Sequence, residues 1–269
     1  MTFRQTSQKL ADSRSDSESP IETIRSYWNE HIHDLKIAKH PIGTKEFFDD
    51  IEAYRFEKLE YLPKVVGYSS YAGKQLLEVG CGIGIDLVRF AMNGAIVTGI
   101  DLAEEPIAQA KRNFQFHAVN GDLRTMNGEN LHFAEGSFDV VFAHGVLQYT
   151  HDAPQMLREI HRVLKPGGEA ILMVYNRYSW LNLLSQLFGV KLEYQDAPAF
   201  RKYSIPEFRR VLEGFSHVEV IPERFPVRTR LHTGLKAAVY NAFFVGAFNL
   251  IPKAMVRPFG WHLIARVTK

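Results

Sequence analysis

A chain of 269 residues, 46% hydrophobic and 23% charged, has the make-up of a folded globular protein with ample length for a core. Its single cysteine, Cys81, excludes an internal disulfide, a Cys-rich zinc cluster and a paired-thiol redox centre, and points to a reducing cytoplasm. A net charge of +2 gives no whole-chain field for nucleic acid, although between residues 224 and 269 eight Lys/Arg stand without one Asp or Glu.

Residues 1–19 lack an apolar signal core and read as a mobile tail rather than a secretory signal. Ser19-Pro20-Ile21-Glu22 has the form of a capping box with proline just inside a helix. Ile21, Ile24, Trp28, Ile32 and Leu35 then recur at helical spacing, and a second amphipathic helix is expected over 45–62, closed by Pro63. From residue 75 the pattern changes to short apolar runs alternating with helices, the mark of βαβ units. Strands are expected at 75–79, 95–100, 116–119, 138–143 and 168–175, with helices at 86–92, 106–114 and 153–164 between them. Strand one is almost wholly apolar, as in a sheet covered on both faces. Beyond 176 the pattern predicts a helix from Ser204-Ile205-Pro206-Glu207 onward, a strand over 217–221, a helix over 231–250 and a last strand over 261–267, seven strands in all. The 231–250 helix carries Leu231, Leu235, Val239 and Phe243 on one stripe and His232, Lys236 and Tyr240 on another. It is expected either to roof an apolar acceptor pocket or to complete the core. No segment reaches the roughly 20 apolar residues that span a bilayer.

The strongest chemical signal is Leu77-Glu78-Val79-Gly80-Cys81-Gly82-Ile83-Gly84, between a predicted strand and a predicted helix. Glycines there allow a sharp turn and close approach of a ligand to bare backbone, and the helix N-terminus favours an anion. The spacing is G-x-G-x-G, not the G-x-G-x-x-G of a dinucleotide site. Asp101, 17 residues beyond Gly84, ends the second strand where an acid accepts the hydroxyls of a ribose. Asp122 is expected just past the third strand, placed to accept from an adenine amino group, with Leu102 and Leu123 as apolar contacts to the base. Each acid alone is as well explained by a cap or turn. Together, at the carboxyl ends of successive strands, they describe a nucleoside site.

These residues, with Phe138-Asp139-Val140-Val141-Phe142-Ala143-His144 and the helix-and-turn segment from Leu157 to Gly168, resemble class I S-adenosylmethionine-dependent methyltransferases, in particular the ubiquinone/menaquinone-biosynthesis-like subfamily. The resemblance covers about residues 74–175. It implies a doubly wound, Rossmann-like α/β fold whose seven-stranded sheet has N-terminal helices and a helical insertion before the last strand. The expected organisation is a helical cap over 20–72, a cofactor-binding core over 73–176 and a substrate-side part over 177–269. The resemblance further implies S-adenosyl-L-methionine as cofactor, with S-adenosyl-L-homocysteine as product. Glu78, Gly80, Cys81, Gly82 and Gly84 would lie at its methionine part, Asp101 at the ribose, Leu102, Asp122 and Leu123 at the adenine, and the backbone at His144 at the amino group. His144 and Tyr149 are the candidate catalytic residues, with His151, Tyr175 and Asn176 on the same rim. His144 also has a bland reading, contact through its backbone alone. Where relatives often carry Leu-His-His after strand four, this chain has Val146-Leu147-Gln148-Tyr149, so no histidine pair is expected there.

The expected acceptor is a small molecule, aromatic or lipid-like. An RNA acceptor is disfavoured, because no RNA-binding module or aromatic platform accompanies the basic region, and DNA is excluded by the lack of the relevant motifs. A protein that binds the cofactor without turnover remains an alternative. The basic C-terminal part suggests a peripheral contact with a membrane or another anionic surface. No metal site is expected: His31-x-His33 has no clustered partners, and residues two apart on a helix face different ways. Trp28 is expected to pack on the apolar stripe of its helix, and the role of Tyr27 stays open.

Overall fold

A computed structural model describes residues 19–32, 35–189, 192, 194–227, 234–235, 242 and 245–269. The expected helix over 231–250 falls largely outside the described residues, as does the expected tail. Strands β1 (Gln75–Val79), β2 (Ile96–Asp101), β3 (Asp122–Thr125), β4 (Phe138–His144), β5 (Leu164–Tyr175), β6 (His217–Glu223) and β7 (His262–Thr268) form one sheet in the order β3-β2-β1-β4-β5-β7-β6. The first five run parallel, while β7 is antiparallel to both β5 and β6. Strand order reverses between β1 and β4, and open α/β sheets bind ligands at the carboxyl ends of the strands around such a point.

Apolar residues on both faces of β1 and β4 explain why helices cover the sheet twice. One face, with Leu76, Val140, Phe142 and Ile171, is packed by Leu87, Phe90, Tyr68 and Tyr71. The other, with Leu77, Val79, Val141 and Leu172, is packed by Met156, Leu157, Ile160 and Phe208. The helices are capped where the sequence offers oxygen acceptors. Ser19 caps α1 (Pro20–Glu30), Thr44 caps α2 (Lys45–Lys58), Asp152 caps α6 (Ala153–Val163) and Ser204 closes a full capping box on α8 (Ile205–Val211). Between these lie α3 (Leu62–Val66), α4 (Ile85–Met92), α5 (Glu104–Phe116) and α7 (Trp180–Phe188), with short α9 (Gly246–Asn249) and α10 (Lys253–Val256) before β7.

Three expectations need correction. The apolar segment 116–119 is not a strand: α5 runs on through Phe116, and β3 is the polar Asp122–Thr125, recruited by parallel pairing of Thr98 with Asp122 and Asp101 with Thr125. The helix expected over 45–62 stops at Lys58. Pro63 does not close it but sits in the first turn of α3, where its missing N–H costs nothing. The stripe from Ile21 to Leu35 is broken as well, since α1 ends at Glu30 and Leu35 lies in a separate 3-10 turn. No helix among the described residues is long and apolar enough to cross a membrane.

Candidate functional site

A cleft of about 1480 Å³, open solvent included, lies over the carboxyl ends of β1, β2 and β4. Its floor is the turn between β1 and α4. Gly80, Gly82 and Gly84 all have positive φ, so the turn itself dictates their type. At Gly80 an added Cβ would lie 2.3 Å from Val146, whereas at Gly82 it would meet only open space, on the cleft side. Gly84 is the N-cap of α4 and does not line the cleft.

Carboxylates crowd this end. Glu78, at the end of β1, is 4% exposed, and its Oε2 has no hydrogen-bond partner. Burial first, and the nearby Asp86 next, push its carboxyl well above the usual range. Asp101, ending β2, accepts N–H bonds from Gly82 and Ala103, both at 3.0 Å. Burial raises its carboxyl against the pull of those amides. Cys81 is buried beside both acids, which together with its burial raises its thiol, so it is a small packing residue rather than a nucleophile.

The opposite wall comes from α2, β4 and β7. Asp86 accepts from Tyr68 Oη at 2.5 Å and pairs with Arg55, whose Nη2 also stands 3.3 Å from His144 Nδ1. His144 Nε2 lies 3.3 Å from Tyr61 Oη, and Tyr61 Oη lies 2.5 Å from His262 Nδ1. His262 Nε2 then faces Arg224 Nη1 at 3.1 Å. Burial first, then Arg224, holds the His262 imidazole well below its ordinary value. The roof is α1, which contributes Ile21, Ile24 and Trp28, with His31 at its C-terminal cap. Trp28 both lines the cleft and packs edge-on against Tyr149 at 5.1 Å, while Tyr27 turns away to Asp196.

The expected residues fall into two sets. Glu78, Gly80, Cys81, Gly82, Asp101, Leu102, His144, Tyr149, His151 and Tyr175 line the cleft. Asp122 and Leu123 do not. Because β3 begins at Asp122 instead of ending before it, Asp122 lies away from the carboxyl end and pairs with Arg124, while Leu123 packs into the core. Met126, Asn127, Gly128 and Glu129 occupy the place where Asp122 was expected. Asn127 Oδ1 accepts from Glu129 N at 2.9 Å, and Glu129 in turn accepts the amides of His151 and Asp152. Asn176, also expected on the rim, spends its side-chain amide on the carbonyls of Pro258 and Gly260. Reading the sequence missed Arg55, Tyr61, Arg224 and His262, which no local spacing connects. Its one signal was the acid-free stretch from Arg224 onward. His33 lies outside the described residues, and no metal-binding cluster occurs among those described.

Residues 77–172 match the family model of a methyltransferase domain. A ubiquinone biosynthesis O-methyltransferase of Pseudomonas aeruginosa is 39% identical over 122 residues, which are 44% of this chain and 50% of that protein. The enzyme of the same name from Pseudomonas syringae pv. tomato is 38% identical over 125 residues, 45% and 51% of the two chains. The chain therefore spans about half the length of the curated relatives it matches. Among solved structures, a SAM-dependent methyltransferase from Aquifex aeolicus superposes with a TM-score of 0.54 over 84% of this chain and 98% of its own, at 14% identity. A protein of Pyrococcus horikoshii reaches 0.59 over 90% and 98%, at 16% identity. At such identities these structures establish the fold. Residues 77–172 are thus similar to a methyltransferase domain, in a fold shared with solved S-adenosylmethionine-dependent methyltransferases, and S-adenosyl-L-methionine is the cofactor that this likeness implies.

Proposed function

We propose that the protein transfers a methyl group from S-adenosyl-L-methionine to a small-molecule acceptor bound in this cleft. One observation carries the reading: the buried, unpartnered Oε2 of Glu78 beside Asp101, on a glycine turn at the switch point of the sheet. A buried carboxylate oxygen without a donor costs on the order of 1–3 kcal/mol, and a cationic, hydroxyl-bearing nucleoside brings the donors that relieve it. In this reading Glu78 and the backbone of Gly80 and Gly82 hold the amino-acid part, and Asp101, whose oxygens retain lone pairs beyond two amide bonds, holds the ribose. Leu102, Met126 and Asn127 take the base, in place of Asp122 and Leu123. The helical cap over 20–72 covers the core over 73–176, and the part over 177–269 completes the acceptor side.

The bound cofactor supplies an already activated methyl group. The protein's own residues therefore align the acceptor and exclude water. Ile21, Ile24 and Trp28 shut out solvent from above, and Tyr149, whose hydroxyl donates to that of Tyr175, gives the acceptor a buried aromatic wall. An aromatic or lipid-like acceptor fits that lining, and the names of the Pseudomonas relatives support an oxygen atom as the methylated site. The test is mass spectrometry of a metabolite extract incubated with active protein. A product 14 Da heavier than its precursor is expected, absent with the Asp101→Ala variant, whereas label appearing only in RNA would overturn the small-molecule reading.

The basic C-terminal region is proposed to touch an anionic surface in the cytoplasm. Leu235, Leu250 and Met255 are exposed by 81, 86 and 66% in a stretch with eight Lys/Arg and no acid. Co-sedimentation with phosphatidylglycerol vesicles but not phosphatidylcholine vesicles is the expected result, and equal or absent binding to both contradicts the contact.

A further inference from the structure

A second pocket, of about 800 Å³ with open solvent included, lies outside the cleft over the strand ends, and none of its residues lines that cleft. Phe200 belongs to both walls. It lines the pocket, and its ring centroid stands 5.6 Å from that of Tyr149 and 5.9 Å from that of Tyr175, two residues of the cleft. Arg201, also in the pocket, is anchored toward the cleft. Its backbone N–H donates to the Gln148 carbonyl at 2.9 Å, and its Nη2 donates to the His151 carbonyl at 2.8 Å.

The run Arg201-Lys202-Tyr203, just before α8, brings two cations to this pocket, and Arg177, just after β5, brings a third. They face one carboxylate, Glu207, so two positive charges stand uncompensated within the lining. Glu207 is itself already shared, accepting from Arg177 Nη1 at 2.8 Å and from Ser204 N and Oγ at 2.7 and 2.9 Å. Among the described residues neither Arg201 nor Lys202 pairs with a carboxylate, and Lys202 Nζ donates instead to the neutral amide of Asn182 at 2.7 Å. Burial first, then Arg177, holds the Lys202 ammonium below its ordinary value, the response of a cation crowded by another. Arg177 engages two of its five N–H donors, with Glu207 and with the Lys202 carbonyl at 2.9 Å. Two guanidinium forks and an ammonium are the donor set that suits a phosphoryl group.

We propose that this pocket binds a phosphate monoester whose organic part is a flat ring. Such an ester carries about 1.5 to 2 negative charges at neutral pH, which matches the two uncompensated cations better than a carboxylate or a sulfonate does. Phe200 and Tyr203, both in the lining, offer ring faces to the organic part. The site lies apart from the glycine turn and its carboxylates, so it stands or falls independently of the methyltransferase reading.

Calorimetric titration of the full chain at about pH 7.5, where the ester is a dianion, compares phenyl phosphate with benzenesulfonate and with inorganic phosphate. Phenyl phosphate is expected to bind about tenfold more tightly than the singly charged sulfonate, and about threefold more tightly than inorganic phosphate, which lacks the ring. Lys202→Gln and Arg177→Gln are each expected to weaken phenyl phosphate about tenfold, and Phe200→Leu to abolish its advantage over inorganic phosphate. Glu207→Gln should act in the opposite direction, strengthening binding about threefold, because glutamine keeps the capping box and removes the competing charge. Thermal unfolding midpoints report the folding of each variant, and the gain in Glu207→Gln decides the matter where a loss could be ascribed to misfolding. Affinities are expected to be the same with and without S-adenosylhomocysteine. Equal binding of phenyl phosphate and benzenesulfonate, no binding of either, indifference to the Lys202 and Glu207 substitutions, or competition with S-adenosylhomocysteine overturns the site. Retention on phosphatidic acid vesicles without binding of phenyl phosphate would assign the charges to a lipid headgroup and overturn the pocket as well.

Discussion

The two ends of the cleft are built from opposite chemistry on neighbouring strands. At β1 and β2 stand Glu78 and Asp101, and at β4 and β7 stand His144 and His262, backed by Arg55 and Arg224. Burial acts on both ends in the same sense, against charge: it raises the carboxyls of Glu78 and Asp101 and lowers the imidazole of His262. The ends differ in what would restore the charged forms. Donors and positive charge would favour the ionised carboxyls, and negative charge would favour the protonated imidazole. Polarity across the switch point thus sets a pair of carboxyls against a row of imidazoles and guanidiniums within one cleft.

Substitutions at one end should leave the other intact, which makes the comparison breakable. The largest effect is expected for Asp101→Ala, with S-adenosylmethionine affinity falling about 10–100-fold by calorimetry, the loss of charge-assisted hydrogen bonds. The same affinity should be nearly unchanged in His262→Gln, and a comparable loss there would mean that the two ends are not separate. At mildly acidic pH, cofactor binding should release up to about one proton, because donors arriving at Glu78 favour its ionised form. Titrations in buffers of different ionisation enthalpy measure this, and Glu78→Gln should abolish it.

A smaller effect concerns His262 and stability. Its folded pKa is depressed, so below about 6.5 the unfolded chain takes up a proton that the folded chain refuses. Its contribution is full above that pH and is lost as the pH falls from there toward the folded value. The slope is at most about 1.4 kcal/mol per pH unit. Urea unfolding over a pH series should show a shallower slope for His262→Gln, and an unchanged slope would place the titration elsewhere. The smallest effect is expected for Asp122→Ala, where cofactor affinity should change by less than about twofold. That carboxylate is 43% exposed, pairs with Arg124 and lies outside the cleft.

The acid end was legible in the sequence because its parts lie close in the chain and follow strand ends. Glu78 lies in β1 just before the glycine turn, and Asp101 ends a clear apolar strand. The neighbouring strand was misread because β3 carries the polar residues Asp122-Leu123-Arg124-Thr125, and only pairing with β2 makes them a strand. The more apolar 116–119, just upstream, competed for the assignment although Phe116 belongs to α5. That shift put the expected base contacts at Asp122 and Leu123, whereas Met126, Asn127, Gly128 and Glu129 are the residues that line the cleft. The basic end was illegible for a different reason. Tyr61 and His262 are 201 residues apart and meet only because β7 inserts antiparallel between β5 and β6. No periodicity or spacing records such a contact.

The most direct measurement is titration of the purified chain with S-adenosylmethionine and, separately, with NAD. One-to-one binding of S-adenosylmethionine, weakened in Asp101→Ala and Glu78→Gln, is the predicted result. Preferential binding of NAD, or S-adenosylmethionine affinity indifferent to both substitutions, would contradict the assignment of the acid end.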